Sequence, residues 1–210
     1  LKSKVAAPLT STAMMQPASV FLNLRSALQR LFGVSGWQSM LLWSIVAGLL
    51  GTLATEFFRA ALLAFEHLVL GPGEGLVAMA RQLPWWARIA CPTLGGLVAG
   101  LLLVLARRVA SRSATSDYME AIVLGDGRIP VAQTLARSAS SLVSIGTGGS
   151  IGREGSMVQL AALASSLLGR VFRFPAERLR LLVACGAAAG LTAAYNAPIA
   201  GAFFVVSALA

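Results

Sequence analysis

The feature that most limits how this chain can fold is a pair of long apolar stretches in its first half. Residues Trp37 to Leu70 include an apolar part from Met40 to Ala54, and a second stretch covers Ile89 to Ala106. An α-helix needs about 20 mostly apolar residues to cross the hydrocarbon of a bilayer. Both stretches are therefore predicted to span a membrane, the first as a long, tilted helix.

The composition and the distribution of charge agree with this prediction. Hydrophobic residues make up 57% of the chain and charged residues 12%, about half the charged fraction of a soluble domain. The net charge of +9 comes from short basic clusters between apolar runs, near the N-terminus, at Arg107–Arg112 and at Arg170–Arg180. Such clusters are typical of cytoplasmic loops and unlike a nucleic-acid-binding face, so we expect an integral membrane protein with a cytoplasmic N-terminus and no nucleic-acid partner.

After the second stretch the predicted helices become short and broken. They cover residues 113–124, 131–145, 180–194 and 199–210. Such helices are tolerated at membrane depth only where they line protein or a water-filled cavity. We therefore expect an all-α membrane protein, with residues 1–35 as a cytoplasmic segment carrying an amphipathic helix and residues 36–210 as the membrane domain.

The glycine-rich stretch Gly146–Ser156, followed by the apolar run Met157–Leu168, is the main candidate for a functional site. A glycine-rich loop that opens a helix presents unpaired N–H groups at the positive end of the helix dipole, which favours an anion. Arg153 adds a positive charge, and the carboxylate of Glu154 can compete with an external anion for the same amides. This pattern predicts a gated anion site; the simpler interpretation is a helix entry with two solvated charges.

Other polar and small residues have structural interpretations. Cys91 and Cys185 lie in apolar segments without metal or disulfide spacing, so both are predicted to be buried, with no metal site. Glu56 and Arg59 are three residues apart and can pair on one helical face. Close helix contacts are expected at two sets of residues: Gly95, Gly96 and Gly100 in the second span, and Ser138, Ser140, Ser141 and Ser144 in the helix before the glycine-rich loop.

Two long motifs now identify a family. Gly152-Arg153-Glu154-Gly155 and the later segment Cys185–Gly201 resemble the CLC family of chloride channels and proton–chloride exchangers. Ser116–Ala121 and Gly125–Gly127 resemble its bacterial voltage-gated ClcB-type branch. The resemblance implies a homodimer with one pore per subunit, each built from two inverted repeats, of which this chain holds the first. It also implies chloride and the lipid bilayer as partners, and no cofactor.

The resemblance assigns roles to individual residues. Glu154 matches the gating glutamate, and the amides of Gly152, Arg153, Glu154 and Gly155 match the loop that receives chloride. A serine hydroxyl at the start of the short fourth helix matches Ser116, with Thr115 as the alternative. The turn Gly125–Pro130 is similar to the motif that carries this serine, but it follows the short helix and Asp126 would place a carboxylate against chloride. We therefore interpret that turn as a coincidence.

Two positions depart from the family pattern. Ser156 replaces the usual proline after the gate motif, at little expected cost. The internal glutamate that relays protons in exchangers corresponds to Ala208, preceded by Ser207, and neither carries a proton at physiological pH. We therefore expect passive chloride conduction.

Three alternatives remain at the level of sequence. The protein could be a proton-coupled exchanger, or a membrane fragment that serves structure or assembly without conducting. A soluble enzyme that binds phosphate with the glycine-rich loop would need a Lys-Ser/Thr pair after the loop or a strand before it, and the sequence has neither. His67, the only histidine, lies at a predicted helix end without an evident catalytic partner.

Overall fold

The computed structural model describes residues 36–71, 76–109 and 118–209. Within these ranges every regular element is an α-helix, in agreement with the predicted all-α class. In chain order the helices are α1 (Gly36–Leu70), α2 (Leu76–Gln82), α3 (Trp85–Val109), α4 (Tyr118–Val123), α5 (Val131–Gly146), α6 (Glu154–Val171), α7 (Ala176–Tyr195) and α8 (Pro198–Leu209). The predicted amphipathic helix near the N-terminus lies outside the described residues.

Helices α1 and α3 have the length and surface of bilayer-spanning helices. Their apolar spans run over Gln38–Leu70 and Trp85–Ala106. Only 28% and 11% of the two apolar windows are buried, whereas the core helix of a soluble protein is mostly buried. Leu53 in α1 and Leu97 in α3 are 64% and 66% exposed, so these helices present apolar side chains outward, as a lipid-facing surface requires.

The hydrophobic core lies among the shorter helices. Short helix α4 and the turn after it pack against α6 and α7, so that the second half of the chain forms its own layer of packed helices. The buried members of this cluster are Ala121, Ile122, Ile129, Val158, Ala162, Leu163, Leu179, Val183, Ala184 and Ala187. Their small and β-branched side chains let the helices approach closely.

Polar contacts join helices at two further places. The hydroxyl of Ser140 in α5 donates to the carbonyl oxygen of Ala99 in α3 at 2.9 Å, which confirms a helix-contact role for this serine. Arg59 in α1 pairs with Glu56 at 3.1 Å, as predicted, and donates to the carbonyl oxygen of Ala193 near the end of α7 at 3.1 Å. A positive side chain at this end of a helix complements the helix dipole.

Several helix starts differ from the predicted ones. Helix α3 begins at Trp85, not at Ile89, so its first turn contains Trp85 and Trp86, both exposed. Helix α6 begins at Glu154, not at Met157, because the amide of Met157 already bonds the carbonyl of Arg153 at 3.2 Å. Helix α7 likewise begins at Ala176, before the predicted start at Arg180.

Candidate anion site

The glycine-rich loop between α5 and α6 turns tightly on its own backbone. Gly148 has a φ of +99°, and the amides of Gly148 and Gly149 bond the carbonyls of Ile145 and Ser144 at 2.9 and 2.8 Å. A Cβ at Gly149 would lie 2.6 Å from the carbonyl oxygen of Ser144. Any residue other than glycine would therefore force the backbone to move at this position. The loop thus needs its glycines for the turn that leads into α6.

The start of α6 is an uncapped helix N-terminus. Arg153 is the N-cap residue and makes no side-chain capping bond. The amides of Glu154, Gly155 and Ser156 precede the first intrahelical bond, and none of them donates to a carbonyl within the described ranges. These free N–H groups lie at the positive end of an 18-residue helix, where negative charge is favoured.

The Glu154 side chain folds back over this helix start. Its Oε2 atom lies where a Cβ on Gly152 would be, so the carboxylate rests against the loop backbone. Glu154 is half-buried, whereas Arg153 is exposed and forms no ion pair with any residue in the described part of the chain. The carboxylate thus lies beside the free amides of the helix start.

A cavity of about 650 Å³ lies next to the helix start. Gly152, Gly155 and Ser156 form one wall, whereas Glu154 is not among its lining residues. The opposite walls come from α3 and α5, whose contributions include Gly96, Gly100, Gln133, Arg137, Ser138, Ser140, Ser141 and Ser144. Polar residues of α5 and apolar residues such as Leu103 and Ile151 therefore together line a space beside the first turn of α6.

The cavity corrects one interpretation of the sequence and adds a residue to the site. A Cβ at Gly96 or Gly100 would meet nothing within 4 Å, so these glycines line the cavity and do not make the close helix contact expected of them. Gly95 does make such a contact, with Thr147. Arg137 was missed, although it is the one charged residue in the serine-rich helix Val131–Gly146.

The other predicted site residues have different positions. Ser116 and Thr115 lie outside the described residues, so the structure does not place the hydroxyl ligand. Position 208 lies in α8, but its side chain is also outside the described part. The turn at Gly125–Pro130 packs away from the cavity: Asp126 pairs with Arg128 at 3.3 Å and is 58% exposed.

Two further predictions concern the cysteines and metals. Cys91 and Cys185 are free but half-buried, so the prediction of full burial was wrong for both. Among the described residues, no three His, Cys, Asp or Glu side chains lie close enough together to hold a metal ion.

Comparison with known proteins relates this geometry to a family. The family described as "Voltage gated chloride channel" matches residues 95–210, which include the loop, α6 and the cavity walls from α5. A protein of Ralstonia nicotianae named for its likeness to the chloride channel protein ClcB is 57% identical over 167 residues, covering 76% of this chain and 39% of its own length.

Two relatives carry the name voltage-gated ClC-type chloride channel ClcB. The Yersinia pestis protein is 46% identical over 169 residues, and an Escherichia coli protein (strain HS) is 44% identical over 172 residues. These matches cover 79% and 80% of this chain and 41% of each relative, so the chain spans about two fifths of the length of its relatives. No solved structure is detectably similar to it. The family match and the relatives together show that this chain belongs to the voltage-gated chloride channel family.

Proposed function

We propose that this chain forms the first half of a chloride pathway across a membrane, with Glu154 as its gate. Family membership and the two apolar helices α1 and α3 support an integral membrane protein that transports chloride. The observation that carries the proposal is the position of the Glu154 carboxylate, folded over Gly152 at the start of α6 and beside a cavity.

In the proposed mechanism, the carboxylate and chloride compete for the same helix start. When Glu154 is ionised, its carboxylate takes the place of the anion next to the amides of Gly152–Gly155. When it is protonated, it loses its attraction to the helix dipole and moves away, and chloride can bind. A hydroxyl from Ser116 or Thr115 completes the first-half ligands, and the adjacent cavity is lined in part by serines of α5.

The decisive test is Glu154→Gln in the complete protein. Glutamine keeps the shape of the protonated side chain but cannot ionise, so the gate should stay open and chloride flux should become independent of pH. Chloride efflux from liposomes, measured over a range of external pH, gives the result directly.

Glu177→Gln is the matched control. Glu177 also lies in the first turn of a helix, α7, and is exposed. Its variant should keep the pH dependence of the parent. A Glu154→Gln protein whose flux still follows pH as the parent does would exclude Glu154 as the gate.

The assembly and the orientation belong to the same proposal. We propose a homodimer with one pore per subunit in the bacterial inner membrane, with the N-terminus and the basic clusters on the cytoplasmic side. The mode of transport is proposed to be passive conduction, because Ala208 replaces a proton-carrying side chain. The alternative of a non-conducting fragment predicts that the complete protein gives no chloride flux above protein-free liposomes.

A further inference from the structure

The loop that joins α6 to α7 carries three exposed arginines. Arg170 lies in the last turn of α6, Arg173 in the loop and Arg178 in the first turn of α7. The amide of Arg173 bonds the carbonyl of Arg170 at 3.1 Å, which keeps the first two close together. None of the three forms an ion pair or side-chain hydrogen bond with a residue in the described ranges. We call these three residues the loop arginines.

An aromatic cluster holds this loop in place. The rings of Phe172 and Phe174 pack on Trp43 of α1, with centroid distances of 4.4 and 5.2 Å. Trp43 is only 7% exposed, so the two phenylalanines point inward. Arg173 lies between them in the chain and has a left-handed backbone with φ of 53°, which leaves its side chain exposed. These aromatic contacts therefore fix the backbone of the loop that carries the arginines.

The same cluster gives the depth of the loop relative to a bilayer. Trp43 lies five residues after the start of the apolar span Gln38–Leu70, which is about 8 Å along the helix axis. The end of a spanning helix lies at the membrane–water interface, where tryptophan is enriched. The loop arginines therefore lie beside the first turns of the apolar span, on the side where a bilayer would place its headgroups.

The charges around the loop favour an anion. Glu177 is the one acidic residue in the described chain between Arg170 and Arg178, and it is exposed. Arg180, nearby, is already engaged, since its guanidinium donates to the carbonyls of Ile122 and Val123 at 2.8 and 3.4 Å. The loop thus retains an excess of two positive charges in unpaired guanidinium groups.

We propose that the loop arginines bind the phosphate headgroup of an anionic phospholipid. Guanidinium groups bind phosphate oxygens through paired hydrogen bonds, and basic surfaces at headgroup depth attract acidic lipids. A phospholipid is the expected occupant because the surface adjoins the first turns of the apolar span of α1. Binding there stabilises the junction of α6 and α7 and is independent of the gate at the other end of α6.

The test compares lipid retention by the complete protein and its variants. The protein is incorporated into phosphatidylcholine nanodiscs that contain a minor fraction of phosphatidylglycerol, and the lipid that copurifies after detergent extraction is measured by mass spectrometry. We expect the parent to be enriched in phosphatidylglycerol. The triple variant R170Q/R173Q/R178Q should lose this enrichment, by about fivefold for each arginine neutralised.

Two variants serve as controls. R170K/R173K/R178K keeps the charge but loses the paired hydrogen bonds, so it should retain more of the enrichment than the glutamine variant and less than the parent. R81Q removes one exposed arginine from α2 and should retain all of it. Size-exclusion chromatography and circular dichroism verify that each variant is folded.

Two results would overturn the proposal. One is equal phosphatidylglycerol enrichment in the parent and in the folded triple glutamine variant. The other is displacement of the bound lipid by inorganic phosphate but not by sodium chloride of the same ionic strength, which would show that the surface takes free phosphate. Both are independent of chloride flux, so failure here leaves the proposed function standing.

Discussion

Gly186 shows how closely two helices approach each other in the core of this protein. A Cβ at this position in α7 would lie 2.9 Å from the carbonyl oxygen of Ala161 in α6 and would also overlap the side chain of Ser165. Ser165 is fully buried and donates to the carbonyl of Ala47 in α1 at 3.4 Å. The lack of a side chain at Gly186 therefore allows α1, α6 and α7 to pack closely at this point.

Gly186→Ala is expected to destabilise the fold by about 1–3 kcal/mol, since the methyl group must displace backbone and a buried serine. The measurement is denaturant unfolding of the protein in detergent micelles. Gly100→Ala is the matched control, because a Cβ there meets open space and alanine is a better helix former by up to about 1 kcal/mol. Equal stabilities for the two variants would contradict this account of the α6–α7 contact.

The charged residues differ in how far the sequence predicts their position. The Glu56–Arg59 pair follows from their spacing, and the place of Glu154 at a helix start follows from the glycine-rich loop before it. The position of Arg137 at the cavity cannot be predicted from the sequence, because it depends on the distance between α3 and α5. The distance between two helices is set by packing across the whole bundle, and no local sequence pattern predicts it.

At the scale of elements, Ser166 joins the turn after α4 to the middle of α6. Its hydroxyl accepts from the amide of Ile129 at 3.1 Å and donates to the carbonyl of Gly127 at 2.8 Å. Gly127 has a φ of +76° and lies against Arg180 and Leu179 of α7, so the turn is held between two helices. The fully buried Ser166 thus satisfies the N–H of Ile129 and the C=O of Gly127, two backbone groups of this turn.

We expect Ser166→Ala to cost about 1–3 kcal/mol of unfolding free energy, because it leaves a buried N–H and a buried C=O without partners. Ser207→Ala is the comparison: its hydroxyl is exposed and bonds only the carbonyl of Phe204 in its own helix, so its loss should be nearly neutral. Thermal unfolding of both variants in the same detergent tests the difference. A neutral Ser166→Ala would show that water or backbone movement replaces the lost bonds.

The elements themselves are mostly evident from the sequence, but their first turns are not. Apolar runs locate α3, α6 and α7, whereas the observed helices begin three or four residues earlier, as at Trp85 and Glu154. A first turn is defined by backbone hydrogen bonds and contains aromatic, glycine or charged residues as readily as apolar ones. For α6 the apolar run alone misses this first turn, and the glycine-rich loop before it is what locates Glu154 at the helix start.

At the scale of the whole molecule, the mode of transport can be tested by a reversal potential. We expect the current carried by the complete protein in planar bilayers to reverse at the chloride equilibrium potential and to stay there under an imposed proton gradient. The physical reason is that Ala208 offers no group to carry a proton through α8. A shift of the reversal potential with the proton gradient would establish coupled exchange, and would require another proton carrier.

The length of α1 has a consequence for the surroundings of the protein. Its 35 residues extend for about 52 Å, whereas the hydrocarbon layer is about 30 Å thick and helices tilt by at most about 40°. About nine residues of α1 must therefore lie outside the hydrocarbon layer even at the largest tilt. Leu68, near the C-terminal end of α1, is 80% exposed. If this end lies outside the hydrocarbon layer, its apolar side chains need contact with lipid headgroups or with neighbouring polypeptide.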